Sequence, residues 1–227
     1  MSTSIVDSSL GSGRTNLADR IELRRFVGRE LLLWLWFESE LFDATLSTKE
    51  HGSFGLWVEG RLVLDEGKES TTIKGTAPGM HREAKEALLR GKMPERAGLH
   101  LAFGDHDCKL TLRGETLAFA GLVPPKKKTE AEEPVLDAPP PPRRKKKAEE
   151  APVDAAHETF YERMYYARDV EGLVMALYRD FLALRLSPVW DSHVVPALEA
   201  WVAGEEVDVD RYRAARDRVV ARAGKRS

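Results

Sequence analysis

The chain has 227 residues, enough for one or two domains, and its formal net charge is −2 at pH 7. Basic and acidic residues are nearly balanced, so the whole molecule carries no strong field of either sign, and a uniformly basic or acidic protein is excluded. The single cysteine, Cys108, excludes an internal disulfide and fits a reducing compartment.

Residues 1–16 are polar and lack the basic region and the apolar core of a secretory signal. We therefore expect a flexible N-terminus over 1–16 and a cytoplasmic protein. No segment reaches the roughly 20 apolar residues that cross a bilayer, so we expect no membrane association.

The most apolar block is Leu31–Phe37, seven consecutive large apolar residues that include two tryptophans. A helix that is apolar all round must be buried on nearly every side. We predict a central helix from about Ala18 to Leu41, wrapped by a sheet, with Asp19 as candidate N-cap. Glu38 and Glu40 follow the block. They point roughly 200° apart on a helix, so we expect solvated flanking charges rather than one site.

The next segments predict strands. Phe54–Val58 and Leu62–Leu64 flank Glu59-Gly60-Arg61, which predicts a hairpin with Gly60 at positive φ. Thr71–Ile73 is β-branched and predicts a third strand.

A second helix is predicted to open at Pro78 and to end before Gly91, its expected C′ residue. Alternation of apolar and polar residues then predicts three half-buried antiparallel strands. They are Leu99–Phe103, Cys108–Leu112 and Thr116–Phe119, with turns at Gly104–Asp107 and Gly114-Glu115. Residues 17–123 thus predict an α+β domain, an antiparallel sheet packed on helices.

Residues 124–155 are rich in proline and lysine and hold few large apolar side chains. Such a segment cannot bury enough surface to offset its ordering entropy, so we expect a disordered linker. Its proline run, 139–142, favours a semi-rigid spacer and is a candidate ligand for aromatic-lined grooves.

Residues 156–227 show apolar residues near the 3.6-residue helical period. Ser187-Pro188 and Gly204 interrupt the pattern, and a last helix is predicted from about Asp208. This predicts a small all-α C-terminal domain of about four helices.

No pattern of catalytic or metal-binding residues stands out. Asp105–Cys108 contains ligand-type residues, but adjacent residues seldom converge on one metal, so a turn is expected. Gly91-Lys92 lacks the rest of a phosphate-loop pattern. We predict no catalytic residue, no metal and no cofactor, and hence not an enzyme.

Basic residues supply candidate DNA contacts. Arg25 and Arg29 share a helix face and could contact phosphates or pair with neighbouring acids. Lys92 could reach a phosphate or complement the helix C-terminus. The C-terminal run has the largest local excess of positive charge, and could track nucleic acid or form the solvated face of an amphipathic helix. Its candidates are Arg211, Arg213, Arg216, Arg218 and Arg222.

Two stretches resemble a known family. Phe26–Glu40 resembles the Leu-Gly-Arg-Glu-Phe-Leu-x-Trp-Leu-Trp block of shorter members of the recombination-associated protein RdgC family. Glu83–Lys92, followed by Ala97–Phe103, is similar to that family's Glu-x-x-x-x-Leu-x-x-Gly-Lys before a strand. The resemblance covers about residues 22–123. It implies a non-enzymatic, sequence-independent DNA-binding protein that forms a ring-like dimer around the duplex and restrains RecA-driven recombination. It also implies a DNA-facing role for Lys92, with Gly91 as the turn before it.

The sequence therefore predicts a DNA-binding accessory protein of the recombination or repair type, with double-stranded DNA as partner and a homodimer implied by the resemblance. The alternative is a two-domain scaffold or adaptor that bridges protein partners through the linker or the C-terminal helices and does not bind DNA.

Overall fold

The computed structural model describes residues 27–67, 69–123 and 153–223. The first described helix, α1, is Val27–Leu41. Every residue from Arg29 to Ser39 is buried, which confirms the prediction that the apolar block forms a central helix. The predicted first turns at 18–26, with Asp19, lie outside the described residues.

One antiparallel sheet of six strands packs on α1, with the strand order β1-β2-β4-β5-β6. β3 pairs with the second half of β2, beside β1. The α+β class, with an antiparallel sheet packed on helices, is confirmed. The strands are β1 (Thr45–Thr48), β2 (Gly52–Asp65), β3 (Ser70–Gly75), β4 (Met93–Phe103), β5 (His106–Arg113) and β6 (Phe119–Val123).

The hairpin predicted around Gly60 is wrong, because β2 runs through this point as one continuous strand. The pairing of β2 with β4 jumps from Val58–Leu99 to Leu62–Ala97, so three residues of β2 oppose Gly98 alone. Gly60 does have a positive φ of 79°, but it serves a β-bulge instead of a turn.

Between β3 and β4, a short 3₁₀ turn (Pro78–Met80) leads into α2 (Arg82–Leu89). Gly91 follows with a φ of 91°, as predicted for the C′ residue. The strand predicted at 116–119 is displaced, since β6 begins only at Phe119. The turn predicted at 104–107 is shorter, because β5 already begins at His106.

The C-terminal region contains α3 (Val153–Arg185), a π-helical turn (Trp190–Val194), α4 (Val195–Ala203) and α5 (Val209–Ala223). The breaks predicted near 187 and at Gly204 are confirmed, and Gly204 has a φ of 76°. Within the described part the region holds three α-helices, fewer than the four expected, because α3 continues unbroken for 33 residues. None of the described helices has the length and apolar character needed to cross a membrane.

The C-terminal helices cover the side of α1 that faces away from the sheet. Trp34 packs on Phe181 of α3, with ring centroids 5.7 Å apart. Trp36 packs edge-on against Trp201 of α4 at 5.0 Å, and Phe37 meets Tyr212 of α5 at 5.2 Å. One hydrophobic core thus includes residues of the sheet, of α1 and of α3–α5. Of the linker expected at 124–155, residues 124–152 lie outside the described residues. The predicted end is wrong by three residues, because α3 already begins at Val153.

Candidate functional site

The basic residues of helix α5 differ in their exposure to solvent. Tyr212 and Ala215 face the core. Arg211, Arg218 and Arg222 are exposed, and their spacing of seven and four residues places them in one stripe along the helix. Within the part of the chain that the structure describes, none of the three pairs with a carboxylate. These residues form the α5 arginine stripe.

Arg216 turns the other way and forms a buried ion pair with Glu38 of α1. Tyr212 donates its hydroxyl hydrogen to the same carboxylate, and the Trp34 indole nitrogen donates to the Tyr212 oxygen at 3.0 Å. Burial raises the pKa of Glu38, while the Arg216 charge and the Tyr212 hydrogen bond oppose that rise. The pair fixes the rotation of α5 about its axis.

The expectation that Glu38 is a solvated charge is therefore wrong, since only 1% of its side chain is exposed. Its partners lie more than 170 residues away along the chain, so local sequence could not show them. The Glu40 carboxylate also has partners within the protein. It accepts the indole hydrogens of Trp36 at 2.6 Å and Trp201 at 2.8 Å, and lies 3.2 Å from Lys85.

Arg213 is exposed and lies over the Phe42 ring, with 4.8 Å between the guanidinium carbon and the ring centroid. Arg216 lies 4.6 Å from the same centroid. Two cations thus sit within cation–π distance of one ring. Arg213 is accessible, but it lies about 200° around the helix from Arg211 and outside the stripe.

Two of the other predicted DNA contacts, Lys92 and Arg29, form contacts within the protein. Lys92 is 8% exposed and donates to the Thr71 hydroxyl oxygen at 3.0 Å. Arg29 is 6% exposed and forms ion pairs with Glu115 at 2.7 Å and Asp65 at 3.4 Å. Arg25 lies outside the described residues. The structure brings only the α5 residues together, and their DNA contact stays a prediction.

A cavity of about 460 Å³ opens beside the Glu38–Arg216 pair, between α1, β1, α3 and α5. Its walls combine apolar side chains such as Leu46 and Leu177 with the carboxylates of Asp180 and Asp217. Burial raises the pKa of Asp180 to about 6, with Arg179 and Arg216 opposing the rise and Glu50 adding to it. Sequence reasoning did not single out Asp180, because nothing local marks it as half-buried.

Two histidines on the sheet lie within hydrogen-bond distance of acids, and His100 lies between two of them, since Asp107 is 2.5 Å away on its other side. His106 lies 3.1 Å from Asp169 of α3, and His100 lies 3.0 Å from Glu59. Across residues 27–67, 69–123 and 153–223, no cluster of three or more histidine, cysteine and acidic side chains could hold a metal ion.

Comparisons with family models, with curated proteins and with solved structures each found no match.

Proposed function

We propose that the protein is a non-enzymatic, sequence-independent DNA-binding accessory protein and that the α5 arginine stripe contacts the duplex backbone. One observation carries this proposal: three arginines lie exposed in a row on one helix face, away from any described carboxylate partner. Arginine binds phosphate oxygens in a bidentate manner, and backbone contacts need no base recognition. The resemblance to the RdgC family, which implies the same function, supports the proposal.

The buried pair orients this surface. Because Arg216 is held by Glu38, helix α5 presents Arg211, Arg218 and Arg222 outward as a fixed set. A pre-oriented row loses less conformational entropy on binding than flexible side chains do. A near-neutral chain can bind DNA through such a local patch, because salt screens charges that lie further from the contact than the Debye length, about 8 Å at physiological salt.

The test is fluorescence anisotropy of a short labelled duplex at several salt concentrations, with the wild-type chain and a variant carrying Arg211→Ala, Arg218→Ala and Arg222→Ala. We expect the variant to bind more weakly and the slope of log affinity against log salt to fall by about 2 to 3, since each phosphate contact contributes about 0.9. Arg216 is left intact because its loss would disturb α5.

The control variant carries Arg82→Ala, Arg90→Ala and Arg168→Ala, which removes the same charge from exposed positions on α2, directly after α2 and on α3. It should keep the wild-type slope. Equal slopes for both variants, or no wild-type binding at low salt, would contradict the assignment to α5.

A second candidate function rests on a different surface, the first turns of α3. Phe160, Tyr161, Met164 and Tyr165 are 62%, 51%, 48% and 61% exposed and lie on the helix side opposite the buried Tyr166. We call these four residues the α3 aromatic patch. We infer that the protein is a scaffold that contacts protein partners through this patch, and that one such partner is a second copy of the chain. Contiguous exposed apolar surface of this kind is typical of interaction sites. The sequence of residues 124–152, which lead into α3, adds a second candidate contact.

Sedimentation velocity over a range of concentrations tests the second candidate. We expect the wild-type chain to self-associate and a Phe160→Ser, Tyr165→Ser variant to stay monomeric, because the buried apolar area would be lost. Met175→Ser, at an exposed residue further along α3, is the control and should self-associate as the wild type does. A wild-type chain that stays monomeric at every concentration would contradict this candidate.

A further inference from the structure

The face of the sheet that points away from α1 carries two neighbouring aromatic rings, Trp57 on β2 and His100 on β4, with Lys109 beside them on β5. Side chains of β2, β4 and β5 alternate between the core and this outer face. Trp57, His100 and Lys109 are aligned by the β2–β4 and β4–β5 registers, so they lie side by side on the outer face. Leu56, one residue from Trp57, is fully buried on the other face.

Trp57 is held flat against the sheet. A Cβ added to Gly55 would lie 2.3 Å from the indole ring, so the ring covers the bare backbone of that glycine. The side chain nevertheless remains 42% exposed, and its ring centroid lies 5.0 Å from that of His100. Only a glycine at 55 leaves room for this orientation. The result is an aromatic surface whose position is fixed before any ligand binds.

The same outer face is basic. Among the described residues, five cationic side chains project from it, against three neighbouring carboxylates: Glu95, and Glu59 and Asp107, which both contact His100. Glu59 pairs with Lys109, and Arg96 pairs with Glu95 at 2.9 Å. The three others form no ion pair with any described residue and are exposed: Arg61, Lys74 and Arg113.

The spacing of the cations along β5 suits a single strand of DNA. Lys109 and Arg113 are four residues apart on β5, which is about 13 Å at 3.3 Å per residue. A few nucleotides of an extended single strand of DNA cover that distance, with a base on Trp57 and phosphates at the arginines. A duplex offers phosphates to such a face, but its bases are stacked on one another and cannot stack on Trp57.

We propose that the outer face of the sheet binds single-stranded DNA, with a base stacked on Trp57 beside His100 and the backbone running toward Arg61, Lys74 and Arg113. Aromatic platforms combined with basic grooves bind single strands in this way with little sequence preference. This site is separate from the α5 arginine stripe, uses a different form of DNA and does not depend on the duplex proposal.

The test is anisotropy of a labelled oligothymidine, which cannot form a duplex, with full-length wild-type and variant chains. Trp57→Ala should weaken binding about tenfold or more, because base stacking on one aromatic ring contributes that much. Trp57→Phe should retain most of the affinity. A variant with Arg61→Ala and Arg113→Ala should lower the salt slope by about 1 to 2.

Two further measurements test whether weaker binding comes from the loss of this site, from a contribution of α5 or from unfolding. The variant lacking Arg211, Arg218 and Arg222 should bind oligothymidine within about twofold of the wild type. Far-ultraviolet circular dichroism should show Trp57→Ala folded, as expected for an exposed side chain. Wild-type affinity in Trp57→Ala, no wild-type binding at low salt, or loss of oligothymidine binding only in the α5 variant would each overturn the proposal.

Discussion

Asp180 shows how a single residue can couple folding to pH. Its carboxyl lies half-buried in the cavity between α1, β1, α3 and α5, where burial raises its pKa from 3.8 to about 6. Between these two values the folded chain holds more protons than the unfolded chain, so stability falls as pH rises from about 4 to about 6.

Replacing Asp180 by Asn should therefore stabilise the protein near pH 7 and change little near pH 4. Because water still screens this partly exposed group, we expect a gain of about 1 kcal/mol, or roughly 2–4 °C in melting temperature. Thermal unfolding at both pH values measures it. Asp210→Asn, at an exposed position on α5, is the control. An Asp180→Asn shift of the same size at both pH values would show that ionisation is not the cause.

At the scale of the element, the bulge in β2 determines how β2 and β4 fit together. The β2 backbone folds over Gly98, and a Cβ at that position would lie 2.1 Å from the carbonyl oxygen of Glu59. Backbone atoms cannot yield as a flexible side chain does. We expect Gly98→Ala to destabilise the protein by about 3 kcal/mol, the upper range for overpacking, as measured by urea unfolding.

Gly172 is the matched control for Gly98, because it is a glycine in a regular element with room around it. It lies inside α3, and an added Cβ would meet only the His51 ring at 3.8 Å. Gly172→Ala should stabilise the protein by about 0.5–1 kcal/mol through the higher helix propensity of alanine. Equal effects of the two substitutions would contradict the steric role of Gly98.

At the scale of the whole molecule, α1 is shared between the sheet and the C-terminal helices. Trp34, Trp36 and Phe37 pack against aromatic rings of α3, α4 and α5. The sequence predicts an α+β domain over 17–123 and a helical domain over 156–227, and residues of both belong to one hydrophobic core. Here, a chain ending at residue 123 would expose a large apolar surface to water.

Limited proteolysis therefore has a defined expected outcome. We expect a protease to cut within 124–152, as the composition of that segment predicts, and the two fragments to stay together on size-exclusion chromatography until denaturant is added. A chain truncated after residue 123 should bind a hydrophobic dye or aggregate. Separation of the fragments in native buffer would contradict the shared core.

The sequence by itself determined the elements whose signal is local. The unbroken apolar run 31–37 required a buried helix, Gly91 and Gly204 marked helix ends, and alternating residues in β4 and β5 indicated a half-buried sheet. These depend on side-chain periodicity and on backbone freedom, which neighbouring residues set. The same local signals led to the wrong prediction of a turn at Gly60, because a bulge and a turn both use a glycine at positive φ.

Only the tertiary structure decided which charges are free. Glu38, Lys92 and Arg29 look like surface charges in sequence, yet each is buried by partners far away along the chain. Arg216 and Arg218 are two residues apart, and one is held in an ion pair while the other faces solvent. Burial and pairing arise from contacts across the fold, which local periodicity cannot encode. The candidate sites on α5 and on the outer sheet face follow from those contacts.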